Sequence, residues 1–233
     1  MSKTEQEYRS DIVCVCHRIY QKGWVAANDG NVSVRLDDNR ILCTPTALSK
    51  GSVQADDLIV CSLSGQKLNG HRDHTSEIAM HTEAYALRPD VHAVVHAHPP
   101  IATGFAVAGR ALDQAVLPEV VVQLGAVPLA PYGLPGTSAL IDGLRPLLPY
   151  YDALLLENHG CTTLGSDVWQ AFYRMEMVEH LARITMVAEM VGGARPLPRQ
   201  EVEKLFASRG RYKVVSLNSM LPGMPMVAED LFK

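Results

Sequence analysis

The chain has 233 residues, of which 47% are hydrophobic and 20% charged, enough to bury the core of one domain spanning 1–233. A formal charge of −4 gives no basic field for nucleic acid or an anionic membrane, so an anionic ligand needs a local pocket. No apolar run reaches the roughly 18 residues that cross a bilayer. The opening MSKTEQEYRSD lacks the apolar stretch of a signal peptide, and the five cysteines are scattered without a CxxC pair. A soluble cytoplasmic domain with reduced thiols is the expectation.

Residues 5–23 place Ile12, Val13, Cys16, Ile19 and Tyr20 at helical spacing, and Gly23 stops the pattern. NDGNVSVRLDDNRILCTP then reads as turn, strand, turn and strand, a hairpin. A short strand near 57–62 precedes the turn SGQKLNG. From Thr75 the spacing is helical until Pro89, and VHAVVHAH follows as a strand. A helix over 99–108 and apolar strand material over 119–129 come next, then a short helix with Thr137 as its cap. DALLLENHGCTTLG predicts two strands meeting at a tight Asn158-His159-Gly160 turn. Ser166 caps a long helix ending at Gly192-Gly193, with its methionines as core filler. A last helix over 199–208 leads into a Pro/Gly/Met-rich tail expected to be mobile. The sum is an α/β domain in which helices cover a mostly antiparallel sheet.

The stretch VHAVVHAHPP carries the first chemistry. Strand side chains alternate faces, so His96 and His98 share one, about 6.6 Å apart along the chain. Two imidazoles so placed can lean onto one ion at about 2.0–2.1 Å from each nitrogen. Leaving both buried without a partner costs several kcal/mol. His92 has the same parity but sits at the strand's start, and is expected to be a hydrogen-bonded core residue. His159, in its turn after an apolar strand, is the natural third ligand. Glu77, in HRDHTSE at the start of a helix, is a candidate fourth, although a carboxylate there also suits the helix's positive end. A His3Glu set suits zinc or a similar borderline divalent ion better than magnesium or calcium.

With these residues in place, the chain resembles the class II aldolase/adducin family, in its sugar-phosphate aldolases of the L-fuculose-1-phosphate type. The resemblance covers roughly 7–192, leaving 193–233 as a C-terminal helix and tail. It rests on GNVSVR, TPT, TSE, VVHAH, LAPYG and ENHG, in the family's order and spacing. It implies a three-layer α/β/α fold with a central, mainly antiparallel sheet, and a C4 homotetramer with active sites at subunit junctions. It implies that His96, His98 and His159 bind Zn2+, or else Mn2+, Co2+ or Fe2+, and that Glu77 touches the metal and serves as catalytic base. The phosphate pocket falls on Asn28, Asn31, Thr46, Ala47, Thr75 and Ser76. Short polar side chains and a helix N-terminus suit that task. Asn28 replaces a threonine of the aldolase, and Ala47 a frequent glycine.

The implied reaction cleaves a ketose 1-phosphate to dihydroxyacetone phosphate and an aldehyde, through an enediolate whose oxygens the ion chelates. No Schiff-base lysine is needed, since Lys50, Lys67 and Lys213 read as turn or tail residues. A second acid is expected at the C4 hydroxyl. LPEVVV has no tyrosine where the fuculose enzyme has one, so Glu119 is a candidate, and Tyr212 of the tail another. A decarboxylase of the same fold, using the same enediolate, is the alternative, with a dehydratase or an epimerase behind it. The family's epimerases carry aspartate at the Glu77 position. A non-enzymatic scaffold like adducin's head lacks the metal set that this chain holds.

Overall fold

Helix α1, Glu5–Gln21, starts at a reciprocal cap: Thr4 Oγ1 accepts from the Glu7 N–H while the Glu7 carboxylate accepts from the Thr4 N–H. The computed structural model describes residues 3–212, without the side chain of Tyr212. The expected tail past that point lies outside the described residues. The strands are β1 Asn31–Arg35, β2 Arg40–Cys43, β3 Ile59–Ser62, β4 Lys67–Asn69, β5 Ala93–Ala97, β6 Leu129–Ala130, β7 Ala153–Leu156 and β8 Gly160–Gly165. The remaining helices are α2 Ile78–Leu87, α3 Pro100–Val107, α4 Pro118–Gln123, α5 Ser138–Leu144, α6 Val168–Met190 and α7 Arg199–Ser208. Among the described residues the strands form one sheet, ordered β4-β3-β2-β1-β5-β8-β7-β6. Every pairing is antiparallel except β6 with β7. None of the described helices is long and apolar enough to cross a membrane.

Alternation along the strands sends side chains to two cores. Val32 and Val34 of β1 and Val95 of β5 join α1, α3 and α6 in one cluster. Val94 of β5 and Leu154 of β7 join α2, α5 and α7 in the other. Helices therefore cover both faces of the sheet.

Four expectations need correction. The segment 119–129 opens as helix, α4, and turns to strand only with the Val127 bridge and β6, because Pro118 sets its first turn and Val120 and Val121 are buried in different clusters. Packing on two sides overrides the strand preference of a valine run. The stretch KLN is an edge strand with all three residues exposed, so no apolar alternation marks it. Asp167 rather than Ser166 caps α6, accepting from the Gln170 N–H. His92 is exposed, just ahead of β5.

Sheet register assembles the site. β5 is the central strand, with Asn31 of β1 opposite His96 on one side and Thr162 of β8 opposite it on the other. The far end of β5 therefore meets the start of β1 and the turn before β8. His159 is brought beside His96 by strand pairing alone. Beyond His98, α3 has no cap of its own; the buried Glu179 of α6 accepts from the Ile101 and Ala102 N–H groups. That anchor fixes where the chain leaves His98.

Candidate metal centre

His96, His98 and His159 present one ring nitrogen each, all within 4.8 Å of one another. The Nε2 atoms of His96 and His98 are 3.2 Å apart. Two ligands on a common tetrahedral centre at about 2.1 Å lie about 3.4 Å from each other, so the spacing is that of co-ligands. His96 Nδ1 lies 3.0 Å from the Cys161 carbonyl. That acceptor takes the ring's one proton and turns the Nε2 lone pair toward the other histidines. Asp29 Oδ2 lies 3.6 Å from His98 Nδ1 and favours the same tautomer there. Two lone pairs facing each other at this distance repel unless a cation lies between them.

Glu77 stands at the N-cap of α2, and the Thr75 hydroxyl accepts from its backbone N–H. Its Oε2 is 3.4 Å from His96 Nε2 and its Oε1 3.4 Å from His159 Nε2. Asn31 Nδ2 donates to Oε2 at 2.8 Å. Oε1 and His159 Nδ1 are buried without a hydrogen-bond partner. A buried, unpartnered carboxylate oxygen beside three imidazoles is the feature a divalent ion would satisfy. The donor set, three nitrogens and one oxygen, fits a borderline divalent metal.

Burial pushes the His96 imidazole well below its ordinary range, and the neighbouring histidines push it the same way. Burial also lowers His159, against the pull of Glu77. Both rings are thus neutral near pH 7, the ligating form. On α2, burial pushes His81 down to about 4 from an ordinary 6.5. A depressed histidine means the native state binds fewer protons, so its stability is complete above 6.5 and declines as pH falls toward 4. The expected loss from His81 alone is roughly 3 kcal/mol by pH 4, read as the thermal midpoint of metal-free protein across pH 7.5–4. A flat profile would contradict a neutral buried ring.

The glycine beside His159 is required by contact. A Cβ on Gly160 would sit 2.4 Å from His98 Cδ2 and 2.7 Å from the Ala97 carbonyl. Gly160→Ala must therefore move His98. The expected result is ion affinity lowered by about 10- to 100-fold by chelator competition, with no change in the ligand residues themselves.

A cleft of ≈ 190 Å³ opens beside these groups, and Asn28, Asn31, Thr46, Thr75, Ser76, Glu77, His98 and His159 all line it. Two hydrogen bonds, Thr46 N–H to Asp73 and Thr75 N–H to Thr44, hold the TPT loop against the TSE turn. Ala47 adjoins the cleft without lining it, in the left-handed region at φ 55°. An alanine there is strained by about 1–2 kcal/mol. After the unfolded chain's extra freedom is subtracted, Ala47→Gly should gain about 0.5–1 kcal/mol in urea unfolding. Glu119 is exposed on α4 and does not line the cleft. Tyr212 ends the turn Arg209–Tyr212, and its side chain lies outside the described residues.

Sequence reasoning missed several neighbours. Asp29, Gly30, Pro45 and Pro135 also line the cleft, and only the last comes from a distant segment. Lys50 does lie in a turn, but it is buried, with Nζ donating to the carbonyls of Asn28 and Leu48. Lys67 belongs to β4. An isolated lysine in a polar loop carries no sequence signal of burial.

A cluster of histidines able to hold a metal, at the end of a central strand in a mostly antiparallel sheet, defines a class. Residues 10–186 match the model of the class II aldolase and adducin N-terminal domain, and the chain belongs to that family. It is similar to the 3-oxo-tetronate 4-phosphate decarboxylase of Pectobacterium atrosepticum, at 32% identity over 79% of this chain and 86% of that protein. It is also similar to an L-fuculose phosphate aldolase of Methanococcus maripaludis, at 30% identity over 76% of this chain and 96% of that one. Among solved structures, YgbL of Klebsiella pneumoniae, described as an aldolase/epimerase/decarboxylase, superposes with a TM-score of 0.81 at 31% identity. That match covers 87% of this chain and 99% of the other. An L-fuculose 1-phosphate aldolase also gives 0.81, at 26% identity over 89% and 96% of the two chains.

Proposed function

We propose that this chain is a divalent-metal-dependent carbon–carbon lyase that cleaves a ketose 1-phosphate to dihydroxyacetone phosphate and an aldehyde. The observation that carries the reading is the convergence of His96, His98 and His159 on one point beside the unpartnered oxygen of Glu77. These four would hold the ion, with zinc the best fit to the donor set and manganese, cobalt or iron the alternatives. A divalent ion bound there supplies a Lewis acid for negative charge developing on the substrate's oxygens.

The chain's own groups do the rest. Glu77 moves the proton at C3: its Oε2 is pinned by Asn31, and Oε1 faces the site. Asn28, Thr46, Thr75 and Ser76 bind the phosphate through amide and hydroxyl groups, with Ala47 offering its N–H at the edge and Asn31 completing the wall. Among the described residues no lysine or arginine lines the cleft, and the buried Lys50 ammonium against the Asn28 carbonyl puts a positive charge behind that loop. Glu119 and Tyr212 are the candidates for the acid at the C4 hydroxyl. Glu119, being away from the cleft of its own chain, would act from an adjacent subunit. The reading therefore includes a homotetramer with sites at subunit junctions, in the cytoplasm, built from α/β/α layers over a single domain.

Decarboxylation of a phosphorylated 3-oxo acid is the second reading, favoured by the similarity to the Pectobacterium decarboxylase. Loss of CO2 leaves the same kind of charge on the substrate and needs no second acid at C4. An assay panel separates them. Release of dihydroxyacetone phosphate from ketose 1-phosphates supports the aldolase, and CO2 release from 3-oxo acid phosphates supports the decarboxylase. Neither product from zinc-loaded protein would defeat both.

A further inference from the structure

Glu77 is one of three polar residues at steps of four along one side of α2, the others being His81 and Tyr85. Asn31 and Ser33 stand at a step of two on β1, on the face that α2 covers. Four helical residues rise about 6.0 Å and two strand residues about 6.7 Å, so the rows mesh. They bond in one unbroken line. Asn31 Nδ2 donates to Glu77 Oε2 at 2.8 Å, and Asn31 Oδ1 meets His81 Nε2. His81 Nδ1 lies 2.6 Å from Ser33 Oγ, which lies 2.7 Å from Tyr85 Oη. Asn31, Ser33, His81 and Tyr85 are all buried, so water does not compete.

Donor and acceptor roles follow from the carboxylate inward. An ionised Glu77 only accepts, so the asparagine must present its nitrogen and turn its oxygen to His81. His81 must then carry its proton on Nε2. A neutral ring has no second N–H, so Nδ1 accepts from Ser33, and Ser33 accepts from Tyr85. Burial keeps His81 neutral and holds the Tyr85 phenol protonated, as the line requires. Each bond permits one orientation of the next.

We infer that His81 is a positioning residue, which with Ser33 and Tyr85 behind it locks the Asn31 amide so that its nitrogen always pins the Glu77 carboxylate beside the imidazoles. His81 does not line the cleft, and its ring nitrogens bond Asn31 and Ser33 instead. The inference rests on the proposed metal-dependent reading of the site.

Three substitutions test it on the full chain. A glutamine amide reaches the place of Nε2 and can donate to Asn31. An asparagine amide reaches only the place of Nδ1, and phenylalanine reaches neither polar atom. His81→Phe and His81→Asn should weaken zinc affinity by about 10-fold in chelator competition. In ion-saturated enzyme they should lower kcat by about 100-fold with KM within about threefold. His81→Gln should restore both to within about threefold of wild type. Wild-type affinity and kcat in the phenylalanine variant, or asparagine equal to glutamine, would overturn the inference. Should the His81 variants fail to fold, Tyr85→Phe, which removes only the hydroxyl, decides. It should lower affinity and kcat by about threefold, and no change overturns the role. If the wild-type protein binds zinc but acts on no phosphorylated substrate, the reading of function has failed, and the affinity series still decides the positioning role.

Discussion

Replacing His96 with alanine should leave protein that no longer retains zinc through gel filtration, where the wild-type chain retains one equivalent by elemental analysis. His96 is the innermost of the three histidines: it is fully buried at the end of the central strand, and the Cys161 carbonyl fixes its tautomer. No water can take the place of its nitrogen with the same direction. Turnover should fall by at least about 10⁴-fold, because a Lewis acid stabilises the transition state by several kcal/mol and each 1.36 kcal/mol is a factor of ten. The substitution also opens a void beside Thr162 and removes a buried hydrogen bond, so folding must be checked by thermal denaturation. His98→Ala is the gentler companion, since that ring is a quarter exposed. Zinc retained at wild-type stoichiometry in both variants would remove the metal centre, and the proposed chemistry with it.

The clustering of the three histidines is readable in the sequence because coordination would restrict residue type and strand parity restricts placement. His96 and His98 declare themselves as a pair on one face, and the turn holding His159 follows an apolar strand that had to lie in the same sheet. Glu77 was readable only through its motif, since the helix it caps could have pointed elsewhere. Within 119–129 only the first half departs from the strand expected there: three consecutive valines look like a strand, while their real constraint is burial between two clusters, which exists only after the chain has folded. The line from Glu77 to Tyr85 was missed for a related reason. Its signal is divided between a helix with period four and a strand with period two, and neither half is unusual alone. Once register places β1 beneath α2, the two halves become one feature. Lys50 and Pro135 belong with these, as loop residues whose positions depend on what packs behind them.

Glu77→Gln isolates proton transfer from metal binding. The amide keeps the length and shape of the carboxylate, and its oxygen can still accept from Asn31 Nδ2. Three imidazoles remain, so the variant should still load at saturating zinc, with affinity lowered by about 10- to 100-fold through loss of an anionic neighbour. An amide cannot take a proton from carbon. The expected fall in kcat for zinc-saturated enzyme is about 10²- to 10⁴-fold, the range for loss of a general base, with KM little changed. The two reactions proposed here respond differently. Aldol condensation begins by removing the C3 proton, so it should fall by the whole factor. Loss of CO2 from a 3-oxo acid requires a proton only after the bond has broken, and water can deliver it, so decarboxylation should fall by much less. Hydrogen–deuterium exchange at C3 of dihydroxyacetone phosphate, followed by NMR without any aldehyde, reads the base directly. Wild-type exchange in Glu77→Gln would show that the carboxylate serves the ion alone and that another group moves the proton. Abolished exchange in a zinc-loaded, folded variant would assign that proton to Glu77.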